Sequence, residues 1–377
     1  MVIQKRVNQI RKFMDANEVK LSIVWEPDNQ FYLTGFRAIS YSRPIVTLLE
    51  ENVVQLIIPG LEEAHADEKA NVDRIHVYYE QYGLREQVLT YIEHLTNILQ
   101  QYPRNTKIGV EVGVLPASVY LFVQNMGFLL VDIGAKITEM RSIKDAHEIE
   151  LLKVAGHLSD LAIGESLRNV RIGMSELEFD SYGDRLLLEK ASQDYPDELI
   201  GYADWTCSGL PRSEMPHLYS STRKFKDGDV VVHSRQVWFN NYRAENERTF
   251  LIGNVTERQK DLLKLAIEAQ QVGMELIRPG ITAGEVDSAC FNVFKKAGLA
   301  DYVQHRVGHG LGLSEHEEPY LRFDNDLILQ EGMVYTIEPG IYVPGVGGFR
   351  HSDTVILTNN GSFSVTKHAR DFEGMRF

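Results

Sequence analysis

The stretch Gly308-His309-Gly310-Leu311-Gly312-Leu313-Ser314-Glu315-His316-Glu317-Glu318-Pro319 sets two histidines seven residues apart in a glycine-rich run. Glycine allows tight turns and lets a ligand or a second backbone come close to the main chain. No other segment gathers so many titratable groups in so short a span. The same residues also read as a plain turn with two hydrogen-bonded histidines. What favours a site is the company: a strand pair over 230–250, an Ile337-Glu338-Pro339-Gly340 corner and an Arg350-His351-Ser352-Asp353 segment.

The strand pair starts from a tight turn, Lys226-Asp227-Gly228-Asp229, and runs through Val230–Phe239 and then Tyr242–Phe250. Period-two alternation sets Arg243, Glu245 and Glu247 on one face. Two carboxylates on one face are ordinary in water and costly in a core, so pattern alone predicts a solvated face. Upstream lie Trp205-Thr206-Cys207-Ser208-Gly209 and Met215-Pro216-His217. A faint repeat pairs Arg171–Ser181 with Arg278–Ser288. In each copy a Ser or Thr is followed three residues later by Glu, the capping box that opens a helix. The repeat predicts two similar α–α–β halves with a site between them.

Towards the N-terminus, residues 4–17 have helical apolar spacing, and Leu21–Trp25 reads as a strand. Asn29–Gly35 reads as a helical turn stopped by glycine. Ile45–Leu49 and Val53–Ile58 read as a hairpin, 84–101 and 116–126 as helices, and Lys107–Val112 and Leu129–Asp132 as strands. This alternation predicts an α/β domain. Met140–Asp145 reads as a joint before a long amphipathic helix, dividing the chain into 1–140 and 141–377.

At 377 residues the chain is too long for one ordinary core and suits two domains. A net charge of −14 argues against nucleic acid, whose phosphates need clustered Lys and Arg. Two cysteines form no disulfide framework and no cysteine zinc site. The N-terminus lacks the apolar core of a signal peptide, and no apolar run reaches the roughly 18 residues of a membrane span. A cytoplasmic protein is expected.

The landmarks Pro216-His217, Gly228-Asp229, Glu247-Arg248-Thr249-Phe250, Gly308–Gly312, Ile337–Gly340 and Arg350-x-x-Asp353-Thr354 stand in an order that resembles the superfamily of creatinase, Xaa-Pro peptidases and methionine aminopeptidases. Residues 1–140 look like the N-terminal domain of its creatinase and Xaa-Pro branch. The resemblance implies a pita-bread C-terminal domain of α+β type, a curved antiparallel sheet backed by two helix pairs with a pseudo-twofold. It also implies a homodimer. Family peptidases bind two divalent metals through Asp, Asp, His, Glu and Glu. The matching positions here hold Ser234, Glu245, His309, Glu338 and Ser352. Two hydroxyls where a dinuclear centre needs carboxylates leave such a centre broken. His233 and His351 adjoin the serines, but alternation aims them at the opposite face.

On that ground the resemblance is drawn to the metal-free creatinase branch. It implies a hydrolase of a non-peptide C–N bond in a small zwitterionic amidine or guanidine carboxylate, with no cofactor. His217 would shuttle the proton, and Glu247 and Glu338 would grip the cation. Tyr41 and Arg43, in Ser40-Tyr41-Ser42-Arg43-Pro44, would reach the partner's site, Arg43 holding the carboxylate. His309, His316, Arg243, Arg322 and Arg350 would line the substrate. Arg243 replaces a creatinase tyrosine, and His316-Glu317-Glu318-Pro319 looks more like the Xaa-Pro peptidases. One alternative is therefore an Xaa-Pro dipeptidase or aminopeptidase with a degenerate site, one Mn, Co or Zn ion resting on Glu245, His309 and Glu338. Another is a non-catalytic binding protein of the family.

Overall fold

A computed structural model describes residues 2–39, 41–80, 88 and 90–377. The chain forms two compact units, Met1–Arg141 and Ser142–Phe377.

The first unit is built on a six-stranded mixed sheet. Its order is Arg74–Tyr78, Val54–Pro59, Val46–Glu50, Val19–Val24, Lys107–Val110 and Leu129–Asp132. Val46–Glu50 and Val54–Pro59 are the expected hairpin. Val19–Val24, Lys107–Val110 and Leu129–Asp132 run parallel, so helical connections must cross between them. The helix Pro27–Thr34 stops where Gly35 turns left-handed at φ 72°. Within the span expected as a helix at 84–101, the described helix is Tyr91–Leu99, opened by a Thr90–Glu93 capping box. Residues 84–87 and 89 of that span lie outside the described residues. The strand Arg74–Tyr78 escapes a pattern reading, because Arg74 and His76 interrupt an edge strand only partly buried. The Met140–Asp145 joint differs from expectation at its start. A helix, Gly134–Ser142, runs through Met140 and Arg141 before Asp145 caps the helix Ala146–Arg168.

The second unit carries an eight-stranded antiparallel sheet. Along it lie Glu317–Leu321, Gly308–Gly310, Val334–Ile337, Ser352–Thr358, Tyr242–Leu251, Val230–Phe239 and Ile200–Ser208, with Gly361–Ser364 added on Ser352–Thr358. Two helix pairs back it: Ala146–Arg168 with Glu176–Asp194, and Glu257–Leu276 with Ala283–Lys296. Both capping boxes of the repeat form, Ser175 with Glu178 and Thr282 with Glu285. The sheet and helix pairs are the pita-bread arrangement that the resemblance implies.

Polar groups as well as apolar ones fill the space under this sheet. A core of Phe179, Phe225, Phe250 and Phe294 with aliphatic neighbours packs between the helices and the strands. Beside it Arg248 donates to Asp353 at 3.0 Å, and both side chains are fully buried. Asp353 also accepts from Thr366, Gln270 and Arg370 at 2.6–2.9 Å. This network ties the strand Tyr242–Leu251 to Ser352–Thr358, where their ladder has only two registered pairs. Breaking a buried pair by removing one partner leaves the other charge stranded. Arg248→Met is expected to cost about 3–5 kcal/mol, read as a lower urea midpoint.

Candidate active site

The strands bring Glu245, His309, Glu338 and Ser352 together from separate parts of the chain. Glu245 sits on Tyr242–Leu251, His309 on Gly308–Gly310, and Glu338 follows Val334–Ile337. Glycine makes the middle strand possible. A Cβ on Gly308 would lie 2.0 Å from the carbonyl oxygen of Thr336, and one on Gly310 would lie 2.8 Å from that of Glu317. The glycines around His309 thus let its strand press against both neighbours.

Glu245 and Glu247 are 4% and 0% exposed, so the solvated face expected for them does not occur. The reason is the set of partners that the fold supplies. Glu245 accepts from Ser352 Oγ at 2.6 Å and from Gln236 Nε2 at 2.9 Å. Glu247 accepts a two-pronged grip from Arg350, Nε to Oε1 at 2.5 Å and Nη2 to Oε2 at 2.6 Å. Charge-assisted, bidentate bonds of this kind are the strong ones.

His309 Nδ1 donates to the carbonyl of Gly310 at 2.9 Å, which leaves a lone pair on Nε2 in the neutral ring. That Nε2 is buried and has no well-aligned hydrogen bond, yet it lies 3.3 Å from Glu338 Oε1 and 3.9 Å from Glu245 Oε2. A lone pair facing two carboxylates is repulsive unless a cation or a proton stands between them. Burial opposes protonation of His309, but Glu338 and Glu245 outweigh it and raise its pKa. Burial also favours the neutral acid at Glu338, yet His309 and Arg350 hold it well below the usual carboxylate range. Burial and then Glu338 push Glu245 upward. Ligand atoms of the three residues lie within 4.8 Å of one another. An orphaned imidazole nitrogen between carboxylates fits a divalent cation, with Nδ1 fixed by a carbonyl as metal-bound histidines usually are.

A cavity of about 630 Å³ opens over this cluster, lined by Ser234, Glu245, Glu338, His217, His316 and Arg350 among others. His217 lies at its exposed side, with Nε2 3.5 Å from Arg350 Nη1. Burial and then Arg350 lower its pKa. His316 stacks on His309 at 3.8 Å, and burial with His309 lowers its pKa to about 4. His233 and His351 are buried away from the cavity, His233 against Thr206 and Phe179, His351 taking the Thr249 N–H.

Not every expected residue reaches this cavity. Arg243 holds the Leu313 carbonyl and Glu315 beside the Trp238 ring. Arg322 faces outward and pairs with Asp324 at 2.8 Å. Tyr41 and Arg43 belong to the first unit, where Tyr41 is 91% exposed and Arg43 pairs with Glu80 at 2.6 Å. Lining residues that the sequence did not reveal include Gln236, His305 and Arg306. Gln236 follows Ser234 by two on one strand, so alternation would have found it. His305 lies four residues before His309, outside the glycine-rich run. Its Nε2 meets Tyr342 Oη at 2.9 Å.

Residues 6–143 match the creatinase/prolidase N-terminal domain, and residues 150–359 match metallopeptidase family M24. The chain belongs to metallopeptidase family M24. An M24 relative, the Xaa-Pro dipeptidase of Pyrococcus horikoshii, is 30% identical, covering 98% of this chain and 99% of its own. The prolidase structure from the same organism superposes with a TM-score of 0.85 at 28% identity, over 98% of this chain and 99% of that one. Prolidase from Thermococcus sibiricus gives 0.87 at 28% identity, over 98% of each chain. The protein is a hydrolase of this family.

Two expectations fall. The amidine hydrolase of a non-peptide C–N bond is overturned by whole-length relatives named for Xaa-Pro dipeptides. Its physical premise fails as well, because Glu247, expected to grip a substrate cation, already holds Arg350. A site without a cofactor is overturned by the metallopeptidase family and by the Glu245–His309–Glu338 cluster. The error lay in reading two missing ligands as the loss of every ion. Gly308→Ala is expected to lose about 1–3 kcal/mol of stability and to lower turnover, measured by urea denaturation and peptide hydrolysis.

Proposed function

We propose that this protein is a dipeptidase cleaving the bond before proline, with one divalent ion per chain held by Glu245, His309 and Glu338. The observation that carries the reading is the unpartnered His309 Nε2 facing two buried carboxylates, in a chain that matches Xaa-Pro dipeptidases along its length. Carboxylates with an imidazole suit Mn, Co or Zn. A bound ion of this type polarises a carbonyl oxygen and makes water more acidic. A second ion would need anionic oxygens where Ser234 and Ser352 stand, and Ser352 instead donates a hydrogen bond to Glu245.

The other roles follow from this chain's own groups. His217 is the free base near neutral pH and stands at the cavity's open side, placed to take a proton from water and return it to the proline nitrogen. Arg350, fixed by Glu247, holds positive charge beside Glu338 and His217. His316 covers one face of His309 and narrows the water's approach. We also propose a homodimer, in which exposed Tyr41 and Arg43 meet the partner subunit. Among the described residues no helix is long and apolar enough to cross a membrane. Both buried cysteines are free thiols, which supports a cytoplasmic setting.

Elemental analysis of the purified protein is expected to find one equivalent of transition metal, lost in His309→Ala, with Ala-Pro hydrolysis abolished by chelator and restored by Mn, Co or Zn. Hydrolysis that persists in metal-free protein refutes the reading. The pH profile gives a second check. Because the pKa of His217 lies below its ordinary 6.5, the base form survives as pH falls through that value. The acid limb of kcat/KM is therefore expected below pH 6.5, and a limb above it removes His217 from the role.

A further inference from the structure

We propose that Gln236 supplies a further ligand to the divalent ion, a neutral amide oxygen, and that the resulting oxygen-rich set selects Mn²⁺. The proposal rests on the single-ion reading above. Gln236 is 2% exposed and lines the same cavity as Ser234, Glu245 and Glu338. It stands directly opposite Glu245 in the ladder between Val230–Phe239 and Tyr242–Leu251, where facing side chains start about 5 Å apart. Its Nε2 donates to Glu245 Oε2 at 2.9 Å. That oxygen is the one turned to the cluster, 3.9 Å from His309 Nε2, while Glu245 Oε1 is taken by Ser352 Oγ at 2.6 Å. The other end of the Gln236 amide, its Oε1, is buried and has no hydrogen-bond partner among the described residues.

Gln236 Oε1 thus joins His309 Nε2 as a buried lone pair without a donor. Both belong to side chains that meet Glu245 Oε2. A buried acceptor left without a donor is costly, and a bound ion is one of the few things that explains it. One cation answers both atoms. The two ends of an amide lie about 2.3 Å apart and have nearly the same shape, so Gln236 Oε1 lies within about 5 Å of Glu245 Oε2, and a half-turn of the amide sets it against that oxygen. An N–H suits a bare carboxylate. A cation on Glu245 Oε2 repels the N–H and draws in the carbonyl oxygen. The carboxylate missing at Ser234 is in this way answered two residues further along the same strand face. An uncharged oxygen also spares the cavity another buried acid. Two carboxylates and an amide oxygen with one imidazole suit Mn²⁺ better than Zn²⁺, which favours nitrogen and sulfur.

The test titrates Mn²⁺ and Zn²⁺ separately into chelator-stripped full-length protein by calorimetry and records the EPR spectrum of bound Mn²⁺, for wild type, Gln236→Met, Gln236→Glu and Ser352→Ala. Ser352→Ala is the comparator, since it removes a donor that only orients Glu245. Gln236→Met is expected to raise the Kd for Mn²⁺ roughly a hundredfold and Ser352→Ala roughly tenfold. Only the Gln236 variants are expected to change the zero-field splitting of the bound Mn²⁺, and Gln236→Met to weaken Zn²⁺ less than Mn²⁺. Gln236→Glu, which returns an oxygen, should recover most of the Mn²⁺ affinity. Equal losses in Gln236→Met and Ser352→Ala with unchanged spectra reduce Gln236 to a hydrogen-bond donor and overturn the assignment. Equal weakening of both metals overturns it too, as does a density map of Mn²⁺-loaded wild type in which no Gln236 oxygen reaches the ion. That map decides the matter where Gln236→Met fails to fold. If Mn²⁺ binds through Gln236 yet Ala-Pro is not cleaved, the assignment stands and the dipeptidase reading falls. If wild type binds neither metal, the ion and the assignment fall together.

Discussion

The site depends on a balance of charge in a place where water cannot help. Three carboxylates, Glu245, Glu247 and Glu338, are buried, and Glu245 and Glu338 line one cavity. Unpaired, each would be costly to ionise there. Arg350 neutralises Glu247 through a fork, and His309 faces the other two. The remaining negative charge is what gives the cluster its appetite for a cation. Ser352 and Gln236 add hydrogen bonds to Glu245 without adding charge. A hydroxyl in place of a carboxylate therefore lowers the charge that a cation must answer, and keeps the remaining acid oriented.

The scaffold exists to hold that balance in register. Each participating strand is fixed by something other than the site itself. Gly308 lets its strand lie against Thr336, and Arg248 with Asp353 locks two strands whose ladder is short. The helix pairs seal the far face with aromatic and aliphatic packing. Polar residues on one face of the sheet thus have a rigid backing, and preorganised groups cost no reorganisation when a substrate arrives.

Much of this was legible in the sequence. Order and spacing of motifs identify the fold, and the repeat's two capping boxes locate equivalent helices in the two halves. His309 stands out in its glycine-rich run, whereas Glu245 and Glu338 came from the positions that the family resemblance implies, since pattern alone put Glu245 on a solvated face. What the sequence hid was partnership. Glu247 and Arg350 lie 103 positions apart, and nothing local shows that each satisfies the other. A carboxylate read as available was already taken. His305 and Arg306 were overlooked for the opposite reason, since a histidine and an arginine ahead of a turn look ordinary until the cavity wall shows which side they face. The same blindness led from two lost ligands to a metal-free chemistry, when the three survivors still converge.

The order of the strands along the chain has a further consequence. Glu245 can take its place beside Glu338 only when Ser352–Thr358 pairs between their strands. Until Thr358 has emerged from the ribosome, the nascent polypeptide carries its acids on an incomplete sheet edge and has no assembled hydrolytic centre. A polypeptide cut before that strand keeps Glu245, His309 and Glu338 but lacks the strand that joins their two halves of the sheet.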